Sequence, residues 1–232
     1  MMLDFSQFKA LTFDCYGTLI DWENGILNAL RPVLQNHNIQ ISDNQTLEIY
    51  ADFESRAEAG DFKNYRTILQ MTMDSLGEEF GFSPTLAERD CLADSIQNWQ
   101  PFADTVTALK ALKTRYQLGI LSNIDDDLFS HSARHLQVEF DWIITAQQLG
   151  SYKPSLNNFQ QAIHRIGLPK EQVLHIAQSL FHDIAPAKEM ELTTVWVNRR
   201  RDVQGFGATP KATAKPDLEV PNLQSLTERM YL

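Results

Sequence analysis

Residues 9–18 read Lys9-Ala10-Leu11-Thr12-Phe13-Asp14-Cys15-Tyr16-Gly17-Thr18. The apolar run ending at Phe13 predicts a buried strand, and Gly17 predicts the turn that stops it. Asp14 therefore stands at a strand tip, a poor place for core packing and a good one for chemistry. In open α/β sheets, ligands collect at the carboxyl ends of the strands. Cys15 should alternate away from Asp14 and pack as a small apolar residue.

Four more segments, 116–123, 141–146, 172–177 and 193–198, are short and rich in Ile, Leu, Val or aromatic residues. A sixth short strand is expected at 218–220, with a last helix around 223–230. Helical patterns separate the middle strands: Val106, Leu109 and Leu112, then Leu128, Ala133 and Leu136, then Phe159, Ile163 and Ile166 ahead of Gly167. Strands alternating with helices predict an α/β fold, a three-layer Rossmann-like parallel sheet covered on both faces. Residues 20–96 break this rhythm. They show helical spacing at Ile26, Leu27, Leu30, Val33 and Leu34, and again at Ile68, Leu69, Met73 and Leu76. They read as a helical cap (20–96) inserted after the first strand of a core formed by 1–19 and 97–232, where it would exclude water from Asp14.

The chain has 232 residues, 43% of them hydrophobic, enough for a sizeable core. A net charge of -10 argues against a nucleic-acid partner. Two cysteines, Cys15 and Cys91, make neither a disulfide framework nor a zinc spacing, which suits a reducing, cytoplasmic setting. No signal peptide and no membrane-length apolar stretch are visible, so no membrane partner is expected. Asp125-Asp126-Asp127 reads as a helix N-terminus rather than a metal cluster. Arg199-Arg200-Arg201 reads as a solvated loop.

The other strand ends carry polar residues of one kind: Ser122-Asn123, then Ser151-Tyr152-Lys153-Pro154, then Gln178-Ser179-Leu180-Phe181-His182-Asp183. A parallel sheet brings them to one edge with Asp14. Together, Phe13-Asp14-Cys15-Tyr16-Gly17-Thr18-Leu19, Leu121-Ser122-Asn123, Tyr152-Lys153-Pro154 and Asp183 resemble the four motifs of the haloacid dehalogenase superfamily. The Tyr-Gly-Thr form and the Ser-Asn pair resemble its L-2-haloacid dehalogenase branch, and Ala177-Gln178-Ser179-Leu180 is similar to relatives that open azetidine-2-carboxylate.

This resemblance implies a hydrolase in which Asp14 attacks substrate and forms an ester, Lys153 keeps Asp14 ionised, and Asp183 readies the hydrolytic water. It implies that Tyr16, Thr18, Ser122, Asn123, Ser179 and His182 surround the substrate, a small 2-substituted carboxylic acid, and that no cofactor is needed. Asn123 would help with the leaving group, and His182 is a second candidate base. A homodimer is open on the same ground.

Position 16 discriminates within the superfamily. Its phosphatases carry a second Asp there to protonate an alkoxide; Tyr16 is a poor substitute, and a halide needs no proton. Displacement at carbon is favoured. A phosphatase holding Mg²⁺ on Asp14 and Asp183, and a non-catalytic ligand-binding protein on the same fold, remain the alternatives. Two features depart from the dehalogenase pattern. Neither Arg31 nor Arg56 falls cleanly where a halide-cradling Arg is expected, and Phe159 replaces a hydroxyl residue.

Overall fold

The computed structural model describes residues 3–232. Strand β1 (Ala10–Phe13) is buried along its whole length because it lies mid-sheet, as its unbroken apolar run requires. It pairs in parallel with β2 (Gln117–Ser122) on one side and β4 (Val173–Ala177) on the other. With β3 (Trp142–Thr145), β5 (Thr193–Val197) and β6 (Leu218–Val220) the sheet has the order β3-β2-β1-β4-β5-β6, parallel throughout. The chain leaves β1 toward one edge and later returns to its other side. The crevice at the β1 tip is therefore the topological switch point, where such sheets bind ligands. All six expected strands form, and each lies within the range read from the sequence.

Four helices fill the stretch after β1: α1 (Trp22–Asn36), α2 (Asp43–Glu58), α3 (Tyr65–Phe80) and α4 (Leu86–Ser95). Their ends are written in local chemistry. Ser42 with Gln45 and Thr85 with Glu88 form capping boxes that start α2 and α4. Gly81, at φ 75°, ends α3 in the left-handed conformation. The buried face of α2 carries Leu47, Tyr50, Ala51, Glu54 and Ala57. An acid on an otherwise apolar face becomes important below.

The remaining helices, α5 (Thr105–Lys113), α6 (Asp126–Leu136), the short α7 (Ala146–Leu149), α8 (Leu156–Ile166), α9 (Ala185–Glu189) and α10 (Leu223–Arg229), flank the sheet. Ahead of α9, residues Leu180–Ile184 form a π-helical turn, a feature often found at functional sites.

One expectation is met with an addition and one is overturned in the folded chain. Asp125 does stand at the start of α6, but its side chain does not cap that helix. Its Oδ1 and Oδ2 instead accept from the backbone N–H groups of Tyr65 and Arg66, at 2.9 and 3.1 Å, at the start of α3. A core carboxylate thus completes the first turn of an insert helix, and the Tyr152 hydroxyl adds a second tie by donating to Lys63 O at 2.7 Å. Arg199 is not solvated. Its side chain is 9% exposed, donates to Thr18 O and to Asp104, and lies over the Phe102 ring. Burial is tolerable because carbonyl, carboxylate and ring face together answer the guanidinium. Arg200 pairs with Glu23 of α1.

Asp125→Ala removes both acceptors at the α3 start and is expected to lower stability by about 1–2 kcal/mol, the scale of a lost cap. Urea unfolding of the variant against the parent checks this.

Candidate active site

Asp14 follows β1 directly, and its N–H donates to Ile176 O on β4, so backbone pairing carries it one residue past the strand. Both of its carboxylate oxygens are engaged. Thr18 Oγ1 donates to Oδ2 at 2.7 Å, and Lys153 Nζ donates to Oδ1 at 2.9 Å. Gly17 makes the turn between them. Its φ is +90°, and a Cβ there would stand 2.8 Å from Trp22 Nε1, so conformation and space both call for glycine. Thr18 Oγ1 also accepts from Gln178 N at 2.8 Å, which locks the turn after β1 to the tip of β4.

Lys153 is 1% exposed and makes three hydrogen bonds: to Asp14, to Leu121 O at 2.9 Å and to Asp183 Oδ1 at 2.6 Å. An ammonium group has three protons, so all its donors are in use. Asn123 holds the Lys153 main chain at both ends, accepting from Lys153 N at 2.8 Å and donating to Lys153 O at 3.0 Å. Asn123 thereby positions the lysine, and its Nδ2 also lies 3.3 and 3.4 Å from the Glu58 carboxylate at the cavity.

Asp183 sits in the π turn and is fully buried. Its Oδ1 accepts from Lys153 and from His175 Nε2 at 3.0 Å, while Oδ2 has no protein partner. His175 comes from the middle of β4. Its Nδ1 meets Thr12 Oγ1 at 2.9 Å, and its ring meets the Phe159 ring edge-to-face. With the proton on Nε2, Nδ1 accepts from Thr12 and both contacts are satisfied.

Charge follows from this packing. Burial pushes Asp14 above the usual carboxylate range; Lys153 pulls it back, but the nearby Asp183 charge opposes that pull. Burial alone would lower Lys153, yet the two carboxylates outweigh it and hold its pKa above the ordinary value. Burial likewise works against Asp183, but Lys153 and His175 outweigh it and hold its pKa down. Burial lowers His182 to about 4, so it is a neutral imidazole near pH 7. Ser179 Oγ lies 3.2 Å from His182 Nδ1, and Nε2 has no partner.

Tyr16 also lines the cavity. Its hydroxyl meets Ser132 Oγ on α6 at 2.8 Å, and burial raises its pKa well above normal. It carries no ready proton for a leaving group. Ser122 lines the cavity with an unpartnered Oγ.

Every site residue expected from the sequence lies at this cavity except Thr18, which stands directly behind Asp14. Trp22 and Tyr65 line it, as do four residues not anticipated as site residues: Glu54, Glu58, Gln178 and Thr209. Arg31 and Arg56 do not. They pair with Asp43 and Asp52 in exposed positions. The free volume inside is about 30 Å³, room for a water or two and too little for a three- or four-carbon acid without movement of the insert. An outer cavity of about 380 Å³ adjoins it and shares Glu58 and Lys153. Among the described residues, no group of three or more His, Cys, Asp or Glu is arranged to hold a metal ion. The Lys153 ammonium occupies one oxygen of each carboxylate that would be called on for Mg²⁺.

A profile of haloacid dehalogenase-like hydrolases matches residues 8–191. The (S)-2-haloacid dehalogenase of Pseudomonas fluorescens is 26% identical over 224 residues, covering 95% of this chain and 96% of that protein. A glyceraldehyde 3-phosphate phosphatase of Methanothermobacter thermautotrophicus is 28% identical over 105 residues, 43% of this chain and 45% of its own length. Among solved structures, the L-2-haloacid dehalogenase of Xanthobacter autotrophicus with chloropropionic acid covalently bound superposes with a TM-score of 0.79 at 19% identity, covering 97% of this chain and 98% of that one. The chain belongs to the haloacid dehalogenase-like hydrolases.

Removing the ammonium by Lys153→Met leaves two buried carboxylates uncompensated and is expected to cost about 3–5 kcal/mol near neutral pH. Asp14 has the raised pKa, so it protonates first as pH falls. The penalty should therefore shrink between about pH 7 and about pH 5. Urea unfolding of both proteins at the two pH values checks the size and the sign.

Proposed function

We propose that this hydrolase displaces a substituent from C2 of a small 2-substituted carboxylic acid, through a covalent ester on Asp14, to give a 2-hydroxy acid. The observation that carries this reading is Tyr16: the position that would supply an acid holds a phenol engaged with Ser132 and raised in pKa. A substituent that departs without a proton fits such a site; an alkoxide does not.

The chemistry runs in two steps. An Asp14 oxygen attacks C2, and the C2–substituent bond breaks with its electron pair on the departing atom. That atom is a halide, or the nitrogen of a protonated strained ring, which leaves as an amine. Lys153 keeps Asp14 ionised, and Thr18 orients it. Water then attacks the ester carbonyl, and the acyl carbon–oxygen bond breaks. The product keeps the original Asp14 oxygen, and the carboxylate is restored with an oxygen from water. With a halide one proton is released overall; with the ring amine the freed nitrogen takes that proton up and none is released. Asp183, whose Oδ2 has no partner, positions the water. Attack at C2 inverts that centre. Ser122 Oγ and His182 Nε2 are the free polar atoms for the substrate carboxylate, and Ser179 sets the His182 ring.

Residues 20–96 act as a lid over the core of 1–19 and 97–232, excluding water during the first step. The reading needs no cofactor. No helix among the described residues is long and apolar enough to cross a membrane, and a cytoplasmic setting suits a small-molecule hydrolase of this composition.

A single turnover with enzyme in excess in ¹⁸O-water, run with EDTA on 2-chloropropionate and on azetidine-2-carboxylate, tests this reading. The first product should carry no label, and Asp14 should acquire it. Asp14→Asn should lower turnover by about three orders of magnitude or more. Label in the first product, or activity confined to aryl phosphates with Mg²⁺, would refute the proposal; the second result would make the protein a phosphatase.

The pH profile is a separate check. Asp14 acts only when ionised, and burial raises its pKa. Hence kcat/KM should fall as pH drops, with an acid limb centred above the ordinary aspartate value of about 3.9.

A further inference from the structure

Four carboxylates line the inner cavity: Asp14, Asp183, Glu54 and Glu58. The displacement chemistry uses the first two. The insert supplies the other two, four residues apart on one face of α2, and nothing in the reaction at C2 requires them.

The lining holds one lysine and no arginine. All three donors of Lys153 are occupied by Asp14, Asp183 and Leu121 O. Arg31, Arg56, Arg199 and Arg200 are each paired elsewhere. Glu54 is 3% exposed. Its Oε1 accepts from the hydroxyls of Tyr65 and Tyr50 at 2.5 and 3.0 Å, which fixes the carboxylate in place. Glu58 has only long contacts from Asn123 Nδ2, at 3.3 and 3.4 Å, and lines both the inner and the outer cavity. Burial raises Glu58 well above the usual carboxylate range and brings Glu54 to about 7. In the same cavity, Ser122 Oγ and His182 Nε2 are buried without partners, at residues 2% and 8% exposed. Buried polar atoms in that state await a ligand.

Burial disfavours two unpaired charges here, so a cation entering the cavity would favour the ionised carboxylates, while an anion finds no free basic side chain among the lining residues. We propose that the Glu54–Glu58 face of α2 receives an ammonium group on the substrate, so that the enzyme selects zwitterionic 2-substituted acids over acids of the same shape without a positive charge. The substrate carboxylate lies toward Ser122 and His182, its ammonium on Glu58 with Glu54 behind. The substrate's own positive charge then offsets the surplus of carboxylates. The proposal rests on the reading above for where the reaction occurs and adds what the site recognises.

Two unreactive product-like acids differ only in the group at issue: 4-amino-2-hydroxybutanoate carries an ammonium where 2-hydroxypentanoate carries a methyl. Calorimetric titration of each into the unmodified protein should show the ammonium member binding about tenfold more tightly or better, the scale of one charge-assisted buried contact. Glu58→Gln should bring the ratio close to one, and Glu58→Asp should restore part of it. Circular dichroism and unfolding of both variants would confirm that they fold. A ratio near one in the unmodified protein, a preference that survives Glu58→Gln, or no binding of the ammonium member overturns the proposal. Neither ligand is turned over, so the outcome is independent of the oxygen-transfer experiment and the two readings fail separately.

Discussion

The Lys153 ammonium is the point on which the site turns. It joins Asp14 after β1, the Leu121 carbonyl on β2 and Asp183 beyond β4, three places more than thirty residues apart in sequence. Burying three charges in an apolar sheet edge costs several kcal/mol for each ion before pairing. The arrangement persists because the geometry matches donor to acceptor without remainder at the lysine. The same match gives the chemistry its character. Asp14 is ionised through one neighbour that is itself shared, so its reactivity depends on where Asp183 and Lys153 are held. Asn123 and His175 do that holding, one on the lysine main chain and one on the second carboxylate.

A second constraint joins the insert to the core. The start of α3 has N–H groups with no partner of their own helix, and Asp125 answers two of them from across the molecule. Tyr152, next to Lys153, donates to the Lys63 carbonyl just ahead of α3. These ties sit beside the cavity rather than at its far rim. The insert therefore meets the core through the same short segments that carry the site, and its α2 helix contributes a wall rather than only a cover.

Much of the site was legible from order along the chain. Ser122 ends a strand and Asp14, Lys153 and Asp183 each come after one, and a parallel sheet aligns strand ends whatever the intervening segments do. Tyr16 was legible as a missing acid through the resemblance, which expects a second Asp two residues after Asp14 in a phosphatase. Other residues were silent. His175 sits mid-strand, where a buried histidine looks like packing until its partners Thr12 and Asp183 are in place. Glu54 takes its partners from Tyr50 and Tyr65, and Glu58 meets Asn123, sixty-five positions away, so nothing local in α2 marks the pair as lining a cavity. Thr209 reaches the cavity from the loop between β5 and β6, the least patterned stretch of the chain. Arg199 read as solvated because three consecutive arginines usually are; only the folded chain offers it Thr18 O and Asp104.

By itself, the sequence determined the alternation of strands and helices, the helical stretch after β1 and the carboxylate that stands just past that strand. Those are local facts, set by periodicity, by capping residues and by one glycine that must adopt a positive φ. Only the tertiary structure decided which charges share the cavity. Electrostatic energy depends on distance and burial, and neither is a property of sequence separation. Lys153 has all its donors committed, Asn123 holds the Lys153 main chain, and two glutamates of α2 line the cavity, because folding brought each to its place.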